Sequence, residues 1–175
     1  MNTSLTALAL KRAVTSKWLI DLSFTPQYPV AIVMFFTERL CLRGFRPEDM
    51  ENIVKLETDP RVFPSYNTEF WRPAKPDLGE LLKKRQYEGA FWSAVVVTRE
   101  GNEFVGTIGM HLQHDSPNRC PSMFIGVIPE QSGKGYGEEM LRFMLKHAFV
   151  ELDMHKVWLQ VFDGNSPAIK LYRKW

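Results

Sequence analysis

The sequence predicts a mixed α/β (α+β) domain whose central sheet is mostly antiparallel and flanked by helices, in the order β-α-α-β-β-β-α-β-α. Residues 91–128 contain three runs of β-branched and aromatic residues separated by turn signals, which favour consecutive antiparallel strands. Residues 140–149 carry apolar side chains at helical spacing. A chain of 175 residues with 45% hydrophobic content fits one domain with one core.

Composition argues against several classes of function. The net charge is only +2 and the basic residues are scattered, so the charge pattern of a nucleic-acid-binding protein is missing. Cys41 and Cys120 are far apart in the chain, which argues against a zinc site and a disulfide framework. The longest apolar run, residues 30–36, is much shorter than the roughly 18 residues of a membrane span. We therefore expect a cytoplasmic protein that binds no metal, nucleic acid or membrane.

The N-terminal segment differs in composition from the rest of the chain. Lys11, Arg12 and Lys17 precede the first acidic residue, Asp21, and this resembles a mitochondrial transit peptide. A disordered or locally packed extension is the preferred interpretation, because the apolar spacing there is not clearly helical. We set residues 1–34 apart and take residues 35–175 as the domain, with a mitochondrial location as the alternative.

The sequence of the first half of the domain predicts one strand and two helices. Leu40 and Leu42 alternate with polar residues, which indicates a half-buried strand. Pro47, followed by two acids, is typical of a helix start. Residues 59–76 hold several prolines and aromatic side chains, so we expect an irregular loop that either binds a ligand or covers the edge of the core. A short helix follows at residues 78–87.

The second half predicts a strand meander, a helix, a strand and a last helix. Its predicted strands cover residues 91–98, 103–112, 120–128 and 156–162. Gly101 and Asn102 make a hairpin turn between the first two, and the turn signal at residues 114–118 leads into the third. Asn165, before Ser166 and Pro167, is a cap signal that opens the last helix.

A glycine-rich loop lies between the meander and the long helix. Gly133, Gly135 and Gly137 let the backbone adopt positive φ and expose its N–H groups, and the N-terminus of the following helix favours an anion. A P-loop would need Ser or Thr after Lys134, and a dinucleotide fingerprint would need glycine where Glu138 stands. The loop therefore predicts a phosphate site of another kind.

Three segments of the chain resemble the GNAT superfamily of acyl-CoA N-acyltransferases. The central one reads GVIPEQSGKGYGEEMLRFMLKHAF and is similar to the family's strand, Q/R-x-x-G-x-G/A loop and helix. The next reads HKVWLQVFDGNSPAIKLYRKW and is similar to its strand, N-x-x-A and L-Y motif. The first reads TERLCLRGFRPEDM and resembles the branch of ribosomal-protein N-terminal acetyltransferases and spermidine acetyltransferases. Together they cover residues 36–175.

The resemblance implies acetyl-CoA as the cosubstrate and assigns residues to it. The main-chain groups of Val127 and Ile128 would pair with the pantetheine arm, and Asn165 would lie beside that arm. Tyr172 stands where the family protonates the coenzyme thiolate. The pyrophosphate would rest on the loop and the helix start, formed by Ser132, Gly133, Lys134, Gly135, Tyr136 and Gly137.

The implied acetyl transfer needs an unprotonated amine, a donor for the oxyanion and a proton for the thiolate. A backbone N–H near Val127 is the candidate oxyanion donor. No carboxylate stands where some relatives carry a base; His111 is a candidate, but a lone strand histidine is more often structural. The other histidines fit surface or cap positions. Water would also serve, because a terminal amine with a pKa near 8 is partly neutral already.

Two departures from the family pattern affect the interpretation. Ser132 stands where relatives usually carry Gln or Arg, and the sequence ends at Trp175, where relatives continue into further strands. We therefore expect a C-terminally incomplete domain that lacks the last strands and leaves an exposed edge along residues 156–162, unless a partner or the N-terminal extension supplies the missing segment.

The leading interpretation is an N-acetyltransferase that moves an acetyl group to a primary amine, a protein N-terminus or a small amine, by direct attack. The alternatives are a catalytically inactive acyl-CoA-binding protein and an interaction module that uses residues 63–71. The acceptor and a homodimer are left open.

Overall fold

The computed structural model describes residues 3–7, 34–62, 77–112 and 119–175. The described strands are β1 (Thr3–Ala7), β2 (Phe35–Phe36), β3 (Leu40–Arg43), β4 (Trp92–Thr98), β5 (Phe104–His111), β6 (Ser122–Val127) and β7 (Val157–Val161). The described helices are α1 (Met50–Thr58), α2 (Leu78–Lys83), α3 (Tyr136–Lys146) and α4 (Ser166–Tyr172). From β3 to α4 this is the predicted order. The predicted aromatic loop at residues 63–71 and the turn at 114–118 lie outside the described residues.

One mixed sheet runs through the molecule. Its strand order is β1-β7-β6-β5-β4-β3-β2. Each neighbouring pair is antiparallel except β6 and β7, which are parallel. The predicted meander of β4, β5 and β6 is therefore confirmed, and the chain crosses from β6 to β7 through α3.

Helices cover both faces of this sheet. On one face, Leu40, Leu42 and Val96 are fully buried in a cluster with Met140 and Met144 of α3. This face continues under α4, whose apolar side chains pack against the same cluster. The core on this side supports the end of β6 and the start of α3, where the glycine loop lies.

The other face is covered by α1 and α2. Cys41 of β3 packs there with Ile53 of α1 and Leu82 of α2. The expectation of a half-buried β3 was therefore wrong, because all four of its residues are buried. Arg43, which the alternation assigned to solvent, is only 5% exposed and donates two hydrogen bonds, of 2.7 and 2.8 Å, to the Asp49 carboxylate.

The edge of β7 is covered by a segment that we expected to lie outside the domain. Residues 3–7 pair antiparallel with β7, from Thr3 opposite Val161 to Ala7 opposite Val157. The edge that we expected to be exposed thus has a backbone partner in this structure.

Candidate functional site

The glycine loop connects β6 to α3 through a 3-10 turn, Pro129–Gln131. Gly133 and Gly135 have φ values of 76° and 83°, in the left-handed region that other residues rarely adopt. Gly135 is the N-cap residue of α3, which begins at Tyr136. The loop therefore needs glycine at two of the three predicted positions for conformational reasons.

The start of α3 is built to receive an anion. The first N–H groups of a helix have no partner within the helix, and they point along its axis toward the loop. A Cβ atom added at Gly133 would find no other atom within 4 Å, so the space beside this residue is open. This exposed, unfilled cradle fits a phosphate group.

The polar side chains of the loop hydrogen-bond within the protein, although Ser132 and Lys134 are exposed. Lys134 Nζ donates a hydrogen bond of 2.7 Å to Gln131 Oε1, and Gln131 Nε2 donates one of 3.2 Å to Glu103. The Ser132 hydroxyl donates to the Ile128 carbonyl oxygen at 3.3 Å. The Lys134 ammonium thus stays beside the loop as a cation, whereas Ser132 is engaged with the preceding turn.

One arginine that the sequence analysis did not assign to the site holds this loop. Arg39, in the turn between β2 and β3, donates a hydrogen bond of 2.9 Å to the Lys134 carbonyl oxygen and pairs with Glu139 of α3. The strand alternation assigned Arg39 to solvent. Arg39 and the loop are far apart in the sequence, so no local pattern could have predicted their contact.

The gap beside β6 is the second part of the site. Among the described residues, the parallel pair of β6 and β7 is in register at one position, Ser122 opposite Trp158. The side of β6 beyond Ser122 that faces β7 therefore has no strand partner, and we call this unpaired side the gap. A ligand that carries amide groups can enter such a gap and pair with the main chain as an added strand does.

Val127 and Ile128 differ in their main-chain partners. The Ile128 N–H donates to the Val105 carbonyl oxygen of the β5 side at 2.9 Å, and the Ile128 carbonyl accepts from the Gln131 N–H at 3.0 Å. Because an antiparallel ladder alternates, Val127 directs its N–H and carbonyl away from β5, toward the gap. The main-chain groups of Ile128 thus already have partners within the protein. Val127 remains the candidate for the predicted pairing with the pantetheine arm.

α4 joins the site at Gly137. An added Cβ at Gly137 would lie 3.8 Å from Leu171 of α4 and 3.9 Å from Val127 of β6. The end of β6, the first turn of α3 and the last turn of α4 therefore meet at this glycine. Lys174 Nζ donates a hydrogen bond of 3.1 Å to Glu138, which holds the end of α4 against α3.

Asn165 begins α4 as the sequence predicted. Its Oδ1 accepts a hydrogen bond of 3.2 Å from the Ala168 N–H, which satisfies a donor in the first turn. The cap fixes the orientation of the Asn165 side chain, since its oxygen is held by the helix. Its amide nitrogen carries the two donors that a ligand beside the helix could use.

Tyr172 lies in the last turn of α4, one residue after Leu171. Its side chain is partly buried against the main core cluster. Burial raises the pKa of Tyr172 to about 12. The phenol is therefore protonated at neutral pH and available as a proton donor.

Two histidines of the described segments, His111 and His147, have aromatic neighbours. His111 lies against Phe124 with 5.1 Å between the ring centroids and an angle of 31° between the ring planes. His147 is 5% exposed, and its ring centroid lies 5.1 Å from those of Phe35 and Trp92. His147 is the C-cap residue of α3, which is one of the two expected roles, but it does not lie on the surface. The helix continues into a π turn, His147–Glu151, in which the His147 side chain is buried.

The described residues contain no group of three or more His, Cys, Asp or Glu side chains that could hold a metal ion. Within the same part of the chain, every helix is too short or too polar to cross a membrane.

Comparison with known proteins agrees with this geometry. Residues 39–175 match the family model described as an acetyltransferase (GNAT) domain. The chain is 26% identical over 138 residues to an uncharacterized N-acetyltransferase, p20, of Bacillus licheniformis, covering 78% of this chain and 77% of that protein. It is 26% identical over 136 residues to the spermidine N(1)-acetyltransferase of Vibrio cholerae, with the same coverage of 78% and 77%.

Solved structures show the same fold. An acetyltransferase (GNAT family) from Bacillus anthracis superposes with a TM-score of 0.68 at 20% identity, covering 81% of each chain. The spermidine N-acetyltransferase from Vibrio cholerae, solved in complex with CoA and spermine, superposes with a TM-score of 0.66 at 24% identity. That match covers 79% of this chain and 80% of the other.

Proposed function

Because the chain belongs to the GNAT family of acetyltransferases and is an N-acetyltransferase that uses acetyl-CoA, we propose that it acetylates a small amine or a protein N-terminus by direct attack. The observation that carries the proposal is that β6 pairs with β7 only at Ser122, so its unpaired side leads along the chain to the glycine loop and the N-terminus of α3. A thioester on a long amide-containing arm, with a diphosphate at its other end, matches this arrangement in shape and chemistry.

The proposed contacts follow from the groups that face the site. The diphosphate would be bound by the N–H groups of residues 133–137, with Lys134 as a neighbouring cation. The main-chain carbonyl of Val127 would accept a hydrogen bond from an amide N–H of the pantetheine arm, and Asn165 would approach the same arm through its amide nitrogen. Ser132, just before Gly133, and Tyr136, between Gly135 and Gly137, would line the loop.

The transfer itself requires three steps. The lone pair of the amine nitrogen attacks the thioester carbonyl carbon, and the N–H of Val127 is the candidate donor to the oxyanion. The C–S bond then breaks with its electron pair on sulfur, and the thiolate takes the phenolic proton of Tyr172. The surplus proton of the new ammonium group passes to water, which also restores the proton of Tyr172.

Tyr172→Phe tests this chemistry. We expect kcat to fall by at least about 10²-fold, the lower end for loss of a general acid, while the dissociation constant of CoA stays within about twofold. Release of free CoA thiol from acetyl-CoA gives the rate, and calorimetry gives the affinity. Tyr87→Phe is the matched control, because Tyr87 is another partly buried tyrosine but packs against Phe45 on the opposite face of the sheet. An unchanged kcat in Tyr172→Phe would remove Tyr172 from the reaction.

A panel of amines tests the acceptor. Spermidine is included because one relative is a spermidine N(1)-acetyltransferase. Alkyl diamines and short peptides with free N-termini complete the panel. If CoA binds but no amine yields product, the inactive acyl-CoA-binding alternative is the correct one. The cytoplasmic location and the homodimer remain predictions.

A further inference from the structure

The turn between β2 and β3 reaches the glycine loop through a single arginine. Arg39 is separated from the loop by 95 positions in the chain, yet its Nη1 donates a hydrogen bond of 2.9 Å to the Lys134 carbonyl oxygen. Its guanidinium lies over the ring of Tyr136, 4.8 Å from the ring centroid. The arginine therefore contacts the residues on both sides of Gly135.

Glu139 of α3 fixes the position of this arginine. Arg39 Nε donates to Glu139 Oε2 at 2.8 Å, and the Arg39 backbone N–H donates to Glu139 Oε1, also at 2.8 Å. Thr37 Oγ1 adds a hydrogen bond of 2.5 Å to the same Oε1. The Glu139 side chain is only 14% exposed, whereas that of Arg39 is 46% exposed. A largely buried carboxylate thus clamps an arginine that extends to the surface of the loop.

The contact sets the direction of one peptide group. A peptide bond is planar and trans, so the carbonyl of Lys134 and the N–H of Gly135 point to opposite sides. Since Arg39 holds the carbonyl on the side of the β2–β3 turn, the N–H of Gly135 is directed away from that turn. A Cβ at Gly135 would lie 3.2 Å from Arg39 Nη2, so the absence of a side chain also makes room for the arginine.

We propose that Arg39, clamped by Glu139 and Thr37, is a positioning residue that orients the Lys134–Gly135 peptide for the coenzyme diphosphate. This inference rests on the proposed coenzyme site. It gives the β2–β3 turn a role in binding, although the turn contributes none of the loop's own residues. Arg39 acts through the backbone that it holds, and the clamp keeps its charge paired with Glu139.

Two variants separate positioning from a direct contact between Arg39 and phosphate. Arg39→Gln removes the hydrogen bond to Lys134 and the charge together. Glu139→Gln keeps the charge of Arg39 but puts an NH₂ donor against the donors of the arginine, which releases it. If Arg39 positions the peptide, both variants weaken CoA binding. If Arg39 instead binds phosphate directly, Glu139→Gln leaves the affinity unchanged or increases it, and the proposal fails.

Calorimetry with CoA and with pantetheine, which lacks the diphosphate, shows whether a change in affinity depends on the diphosphate end of the ligand. We expect both variants to bind CoA about tenfold more weakly, equivalent to about 1.4 kcal/mol, with pantetheine affinity changed less than about twofold. The KM for acetyl-CoA should rise with kcat changed by less than about threefold, since Arg39 does not touch the reacting atoms. An equal loss for pantetheine would overturn the proposal.

Arg119→Gln is the matched control. Arg119 forms another exposed arginine–carboxylate pair, with Asp153. It lies just before the start of β6, whereas the glycine loop follows the end of that strand. Loss of CoA affinity in this variant equal to that in Arg39→Gln would show a general charge effect and contradict the proposed role of Arg39.

Hydrogen exchange of the free protein tests the positioning without any ligand. Amides of residues 132–139 should exchange faster in Arg39→Gln and Glu139→Gln than in the unmodified chain, and at the unmodified rate in Arg119→Gln. If exchange is unchanged in both Arg39→Gln and Glu139→Gln, then Arg39 does not order the loop, even if CoA binds. If the unmodified chain binds no CoA, the proposed coenzyme site fails, and the exchange measurement still decides whether Arg39 orders the loop.

Discussion

Burial sets the acidity of Tyr172, the proposed proton donor. An exposed tyrosine has a pKa near 10, and the partly buried position in α4 raises the pKa of Tyr172 to about 12. The raised value means that the folded protein favours the neutral phenol. The stability that this preference contributes is complete below pH 10 and is lost as the pH rises from 10 to 12.

The same shift predicts the pH profile of the reaction. We expect kcat/KM to rise as the acceptor amine loses its proton and to show no fall up to about pH 10, because Tyr172 is still protonated there. Rates measured between pH 6 and pH 10.5 on the unmodified chain check this. A descending limb with a midpoint below pH 10 would mean that a group other than Tyr172 supplies the proton.

Single residues differ in how far the sequence alone could assign them. Gly133 and Gly135 were predictable, because a backbone that must adopt positive φ leaves glycine as the usual choice. Arg39 was not, since its contact with Lys134 exists only after the sheet and α3 have assembled. Ile128 was named for main-chain pairing, but only the hydrogen-bond pattern of β5 and β6 shows that its groups already have partners.

β6 is the element on which the proposed site depends. Its antiparallel pairing with β5 determines which main-chain groups face the gap, and Gly106 of β5 lies directly opposite Val127. A Cβ at Gly106 would lie 1.8 Å from the Gly126 carbonyl oxygen, a separation that cannot exist without moving one of the strands. The close approach of the two backbones at this point therefore requires glycine.

Gly106→Ala should consequently damage both stability and coenzyme binding. We expect a loss of about 1–3 kcal/mol or more in the free energy of unfolding, because the clash involves backbone rather than a flexible side chain. The KM for acetyl-CoA should rise as Val127 is displaced. Gly44→Ala is the control, since a Cβ there would meet nothing within 4 Å. Urea unfolding compares the two, and equal stability of both variants would contradict the close packing of β5 and β6.

The helices and strands were largely predictable because their apolar spacing is regular. The burial of β3 was not predictable, since alternation alone cannot show that α1 and α2 cover its second face. Arg43 looks like a solvent-facing residue in the sequence, yet it is buried because Asp49, just before α1, provides a bidentate partner. The alternation of polar and apolar residues therefore predicts which side chains are exposed only where no charged side chain has a buried partner of opposite charge.

At the scale of the whole molecule, β7 is paired with other strands mainly along one of its two edges. β7 pairs with β6 at a single position, so over most of its length its inter-strand partner is β1. The gap that receives the proposed coenzyme arm and the covered outer edge are therefore two consequences of the same strand arrangement. Pairing between residues at the two ends of a chain has no local sequence signal, which is why residues 1–34 could not be placed from the sequence.

Removal of residues 1–7 tests this arrangement. We expect the shortened chain to associate with itself, because an unpaired edge of β7 offers free N–H and carbonyl groups to another molecule. Sedimentation coefficients that rise with concentration in the shortened chain, but less in the full chain, are the expected result. Affinity for CoA should also fall, since a β7 without β1 no longer holds its side of the gap.

Gln160→Lys in the shortened chain separates edge pairing from general destabilisation. Gln160 is an exposed residue of β7, and a lysine on an edge strand opposes the approach of a second strand. We expect this substitution to reduce the self-association of the shortened chain while leaving its weakened CoA binding unchanged, because it does not replace the lost hydrogen bonds. If the shortened chain sediments and binds CoA like the full chain, then β1 neither covers the edge nor supports the gap.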